Sequence, residues 1–256
     1  AFTETYGGLL YANYIPYHLM SEVTAFQGYP LTITPKMDVR VIPYYVADAV
    51  SRDQFQTSDV RATGATDQPY TLYYRPYGSH TLPQWASSST KKYVQAYNEF
   101  VAKSYLYVDD TTMAYMKLII EEQGFDPADP DIVQKVATYI QNTATYNMAY
   151  NQNLDREPNV ALAFLGAYKE GVCRHYATAA TLLYRALGIP ARYTVGYLAE
   201  TKADTETVVS GRDAYAWVEV YVEGFGWMTV DVAQRTSDGD GPADTPIDNN
   251  LTLKPV

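Results

Sequence analysis

An α+β fold is predicted by a change of period along this chain. From Ser89 to Leu187 the apolar residues recur at helical spacing, and from Ala191 to Val232 they alternate with a period of two. A lone cysteine, Cys173, opens the last helical segment before the change. Three regions follow: a β-rich stretch over 1–88, an α+β core over 89–235, and an acidic tail or linker over 236–256.

The first region reads as strands and loops. Asp38 to Ile42 alternates, and Pro43 confines that strand to an edge or an end. Tyr70 to Arg75 is a second strand candidate, and the polar stretch from Ser51 to Gln68 between them reads as loop. In the core, Val94, Tyr97 and Val101 form one stripe of a helix ending near Ser104. Thr111 to Glu122 reads as the next helix, closed by Gly124. Asp129-Pro130-Asp131 predicts a helix start with Asp129 as N-cap, and Ile132, Val136, Tyr139 and Ile140 share one face of the helix. The last helix is expected over 171–187, stopped by Gly188-Ile189-Pro190. Strands follow over 192–197, 214–222 and 226–232.

Bulk properties narrow the function. The 256 residues suffice for a sizeable core, and 47% hydrophobic with 19% charged residues is ordinary globular composition. A net charge of −10 with no Lys/Arg cluster excludes nucleic acid as a natural partner. One cysteine excludes an internal disulfide and a cysteine-based metal site. Asp126, Asp129 and Asp131 lack the spacing of a calcium loop and read as capping residues, so no metal or cofactor is expected. No apolar run has transmembrane length. The start Ala1-Phe2-Thr3-Glu4 has neither Met nor a signal-peptide pattern and predicts a processed or excised segment. The 26 tyrosines suit surfaces and grooves, with apolar bodies and wet tips.

The chemistry centres on Cys173. Cysteine attacks as the thiolate, and a free pKa near 8.5 leaves roughly 3% ionised at neutral pH. A helix N-terminus lowers that pKa, and its free N–H groups could hold an oxyanion. Gly171 would let the backbone approach a substrate, making Gly171 and Val172 candidates for the cleft. The plainer reading is that a lone cysteine is a small buried apolar residue, its usual state.

The strands give the thiol a neighbourhood. On 214–222, Tyr215, Trp217, Glu219 and Tyr221 share a face; on 226–232, Trp227, Thr229 and Asp231 do. A hairpin pairing Tyr221 with Phe225 sets Tyr215 opposite Asp231 and Trp217 opposite Thr229. A two-residue turn at Glu223-Gly224 shifts the pairing by one and separates them, and the sequence leaves both registers open.

Three ordered blocks carry a resemblance. Gly171-Val172-Cys173-Arg174-His175-Tyr176-Ala177, with Leu182 to Arg192, resembles the nucleophile block of the transglutaminase-like superfamily. Ala216-Trp217-Val218-Glu219-Val220, then Gly226-Trp227 and Asp231, resemble its second and third blocks, so the likeness covers roughly residues 130–233. The resemblance implies a papain-like core with the nucleophile at Cys173, the orienting acid at Asp231, and a histidine directly before the Ala-Trp pair. Ile42-Pro43-Tyr44-Tyr45 is similar to extracytoplasmic regions that precede this core in bacterial membrane-anchored members.

At the histidine position this chain has Tyr215. A phenol of pKa about 10 cannot act as imidazole does at neutral pH, so no thiolate–imidazolium pair forms there. Losing a general base lowers the rate by roughly 10²–10⁴. His175 lies about 200° round a helix from Cys173 and points away from it. His18 and His80 belong to the N-terminal region, and rescue by either needs hydrogen-bond reach. Trp217, Trp227 and Tyr193 read first as sheet packing and Glu219 as a network carboxylate, with Trp217 also a cleft candidate. Asp231 is free to bond the Tyr215 hydroxyl.

The leading expectation is a bacterial transglutaminase-like domain, catalytically impaired or inactive, that binds peptide, protein or cell-wall polymer. The alternatives are an active thiol acyltransferase or protease working through an acyl-enzyme on Cys173, and a structural module of a larger surface protein. An extracytoplasmic location is expected, as part of a secreted or membrane-anchored protein.

Overall fold

The computed structural model describes residues 29–34, 36, 46–49, 55–56, 61–62, 69–74, 88–200, 202–222 and 226–233. The strand expected over 38–42, His18, His80 and the tail over 236–256 lie outside the described residues. The chain divides into two compact units, Ala1–Phe100 with Glu223–Gly226 and Val101–Val222 with Trp227–Val256.

In the first unit, β1 (Tyr29–Ile33), β5 (Tyr70–Tyr74) and β2 (Val46–Ala49) form an antiparallel sheet in the order β1-β5-β2. The strand read at Tyr70 is therefore central, pairing Tyr74 with Tyr29 and Tyr70 with Ile33. The stretch read as loop contains a small antiparallel pair, β3 (Phe55–Gln56) with β4 (Arg61–Ala62). Helix α1 (Ser88–Ser104), whose last turn from Val101 belongs to the second unit, buries the expected stripe of Val94, Tyr97 and Val101.

Helix α2 (Asp110–Gln123) has a matching signal at each end. The Asp109 carboxylate accepts the Thr112 N–H at 3.0 Å, and Gly124 ends the helix in the left-handed region at φ 64°. Thr112, Met116 and Ile119 recur at helical spacing and face inward. Helix α3 (Ile132–Thr143) starts later than its sequence signal, with Asp131 and not Asp129 as the N-cap. Asp129 accepts the Asp131 N–H at 2.9 Å and pairs with Lys135, so the capping carboxylate closes a turn ahead of the helix. Ile132, Val136, Ala137 and Ile140 are buried on its inner face.

Between α3 and the cysteine helix lie elements that no sequence period announced. Strands β6 (Thr145–Tyr146) and β7 (Glu170–Gly171) form a short parallel bridge with Tyr146 opposite Gly171. A 3-10 turn (Gln152–Arg156) and helix α4 (Val160–Ala163), which widens to a π turn over Phe164–Tyr168, fill the connection. Helix α5 (Cys173–Ala186) then starts two residues later than expected, because Gly171 is held in β7. Gly188, at φ 79°, supplies the stop.

Helix α5 packs on an antiparallel sheet of β8 (Ala191–Tyr197), β9 (Ala214–Val222) and β10 (Gly226–Val230), ordered β10-β9-β8. Pairing of Thr194 with Trp217 and Gly196 with Tyr215 puts Arg192, Thr194 and Gly196 on the face of Glu219, Trp217 and Tyr215. Several tyrosines are core residues, contrary to the surface role expected of them. Tyr176 and Tyr184 are fully buried, and their hydroxyls donate to the backbone carbonyls of Ala144 at 2.8 Å and Val133 at 2.7 Å. A buried ring is tolerated there because its polar tip is satisfied.

Candidate active site

The start of α5 is built without an ordinary cap. Val172 is extended (φ −118°, ψ 173°) and has no polar side chain to bond the first turn. The ring of His175 instead bonds the cap residue's own backbone: Nδ1 accepts the Val172 N–H at 3.0 Å. An accepting Nδ1 leaves the proton on Nε2, which donates to Asp155 Oδ1 at 2.9 Å. Asp155 Oδ2 also accepts from the Tyr150 hydroxyl and from Arg174, each at 2.6 Å. Burial pushes the His175 pKa down, against the pull of Asp155.

This ring also explains Gly171. A Cβ there would lie 2.5 Å from His175 Nδ1, so glycine makes room for the histidine. The residue is buried, and its smallness serves a packing contact inside the domain.

Cys173 is half-buried at the first position of α5. Burial raises its pKa, and three donors oppose that effect: the backbone N–H groups of Ala216 and Arg174 and the hydroxyl of Tyr146. Burial is the largest effect, so the thiol stays above its ordinary value. Tyr146 responds in kind: burial, then the nearby Cys173 charge, pushes its phenol up to about 12. Tyr193, on β8, is also raised, by burial first and by Cys173 second.

Tyr146 is the site residue that sequence reading missed. It sits on a two-residue strand with no period to detect, and only its pairing with Gly171 brings it beside the thiol. Asn147 extends the bridge by donating its N–H to the Gly171 carbonyl at 2.8 Å, and Tyr146 stacks on Tyr176 at 6.2 Å.

Tyr215 and Asp231 meet. The phenol donates to Asp231 Oδ1 at 2.7 Å, and both residues are 5% exposed. The Ala233 N–H donates to the same oxygen at 3.3 Å, and Gln141 donates to the Asp231 carbonyl at 3.1 Å. The strand carrying Tyr215 also carries the Ala216 N–H that faces the sulfur.

Trp217 is half-buried and its indole N–H donates to Glu219 Oε1 at 3.2 Å. Its ring lies over Gly196, where a Cβ would come within 2.7 Å of Cη2. Glu219 is fully buried and paired with Arg192, whose guanidinium stacks 4.2 Å from the Trp227 ring centre. Among the described residues no cluster of three or more His, Cys, Asp or Glu side chains could hold a metal ion.

A thiol at the start of a helix, packed on an antiparallel sheet whose neighbouring strands bring an acid to the same end, defines a papain-like transglutaminase core. Residues 120–232 match the family model of the transglutaminase-like superfamily. It is 41% identical over 70 residues to a protein-glutamine gamma-glutamyltransferase of Pseudomonas aeruginosa, a match covering 27% of this chain and 10% of that one. It is 32% identical over 106 residues to the uncharacterized protein YebA of Bacillus subtilis, covering 39% of this chain and 14% of the relative. The matched segments are thus small parts of the curated relatives. The fold is that of the periplasmic domain of TgpA from Pseudomonas aeruginosa, with a TM-score of 0.56 and 19% identity over 81% of this chain and 70% of that one.

Proposed function

We propose that this domain is a transglutaminase-like module impaired in acyl transfer, which retains its cleft for binding peptide, protein or cell-wall polymer. The observation that carries the reading is the buried bond from Tyr215 to Asp231. Acyl transfer needs a thiolate to add to a carbonyl carbon, a held oxyanion, and a proton for the departing amine. Arg174, Ala216 and Tyr146 direct donors at the sulfur. Tyr215 cannot take the thiol proton at neutral pH, and its own proton is directed at Asp231. The thiol, raised by burial, is mostly protonated there.

A second reading, slow thiol acyl transfer through Cys173, is favoured by one observation: the three donors all stabilise the anionic sulfur. An extracytoplasmic location is supported by the fold shared with a periplasmic domain. No helix among the described residues is long and apolar enough to cross a membrane.

The test is amine incorporation into a glutamine peptide, followed by mass spectrometry. The unsubstituted chain is expected to match Cys173→Ala, and Tyr215→His to exceed both. Cys173-dependent turnover that Tyr215→His reduces would establish the second reading.

A further inference from the structure

We propose that His175 is a positioning residue for Cys173, using an accepting Nδ1 to lock the N-terminal turn of α5 to the strand that faces Tyr146. The lock is made of backbone and ring contacts and holds whether or not the domain turns over substrate. Val172 lies between Gly171, opposite Tyr146 in the β6–β7 bridge, and Cys173, the first residue of α5. Its N–H is the group that a Glu or Gln side chain at the third helical position bonds in a capping box, and His175 holds that position here. His175 Nδ1 takes that N–H at 3.0 Å, and the His175 N–H donates to the Val172 carbonyl at 2.8 Å. Both polar groups of Val172 are thereby tied to one residue two positions past the thiol.

The ring itself is fixed on every side. Nε2 donates to Asp155, which the Arg174 and Tyr150 side chains also engage. Tyr150 meets the ring edge-on at 4.8 Å, and Phe164 stacks on it at 6.0 Å. Gly171 removes the one Cβ that would displace it. The histidine is 1% exposed, so the clamp is shielded from water. The charged and titratable groups facing it are Asp155, Arg174 and Tyr150. An imidazolium cannot accept at Nδ1, so the lock requires the neutral ring.

Two measurements on the 256-residue chain test this. The first is the nitrogen chemical shifts of the histidine rings by NMR, which needs no substitution. His175 is expected to show a bare Nδ1 and a protonated Nε2 at neutral pH; a protonated Nδ1 overturns the proposal. The second is the pH profile of Cys173 alkylation by iodoacetamide. His175→Asn places an oxygen near the Nδ1 position, whereas His175→Gln reaches only the Nε2 position. Burial is the main cause of the high thiol pKa, so a released turn lets that pKa fall. His175→Gln is expected to react about tenfold faster at neutral pH, the effect of one pKa unit, and His175→Asn to stay within about twofold of the unsubstituted chain. Equal profiles for the two variants, shifted or unshifted, would show ordinary packing and overturn the proposal.

Discussion

The hydroxyl of Tyr215 donates to the carboxylate of Asp231 at 2.7 Å, with both side chains buried at the strand end nearest the thiol. A hydrogen bond to a charged partner, out of water, contributes about 1.5–3 kcal/mol. Tyr215→Phe keeps the ring and removes the donor, so it is expected to destabilise the domain by about that amount. Urea unfolding of the two chains checks it. An unchanged midpoint would mean that other donors satisfy Asp231 unaided.

The sulfur of Cys173 is stabilised as an anion by a phenol that sequence reading did not place there. Tyr146→Phe removes that donor and leaves the Ala216 and Arg174 N–H groups. The thiol pKa, already above its ordinary value, is expected to rise further. Iodoacetamide alkylation followed against pH reads this directly. A profile that moves to lower pH would show that Tyr146 acts on the thiol chiefly by burying it.

How much of this was legible follows from the kind of signal each element carries. Helix α2 had its closing glycine at 124, a local signal, and it stands close to where its pattern put it. Tyr215 and Asp231 were legible because strand alternation fixes faces, leaving one register to decide. Tyr146 was not, since its two-residue strand owes its place to pairing with Gly171, twenty-five positions away. Helix α5 was set two residues early for the same reason. Gly171 resembles an ordinary helix-start glycine until the His175 ring is seen against it.

The two close glycine contacts are expected to differ in cost. Gly171→Ala sets a methyl 2.5 Å from His175 Nδ1 in a buried site, where the ring is held by Asp155, Tyr150 and Phe164. Overpacking of that kind costs about 1–3 kcal/mol. Gly196→Ala sets a methyl 2.7 Å from the far edge of the Trp217 ring, which is only half-buried and can tilt outward. Its loss in thermal midpoint should be the smaller of the two. The reverse order would mean that Trp217 is held more rigidly than His175.

Stability should also fall in mildly acidic solution because of His175. Its pKa in the folded domain is lowered by burial, whereas in the unfolded chain it returns to about 6.5. Between those values the unfolded state binds the extra proton, so unfolding is favoured as pH drops through the window. The contribution is fully present above about pH 6.5 and is lost progressively below it, until the folded-state ring also protonates. Asp155 acts in a lower window: its pKa is depressed by the Tyr150 and His175 hydrogen bonds, so its contribution persists until the pH falls below the ordinary carboxylate range. Urea midpoints measured from pH 7.5 to 5 should therefore decline for the unsubstituted chain, and the decline should be absent in His175→Asn, which has no imidazole to protonate. An equal decline in both chains would assign the acid sensitivity to other groups and leave the neutral His175 ring without a measurable share in it.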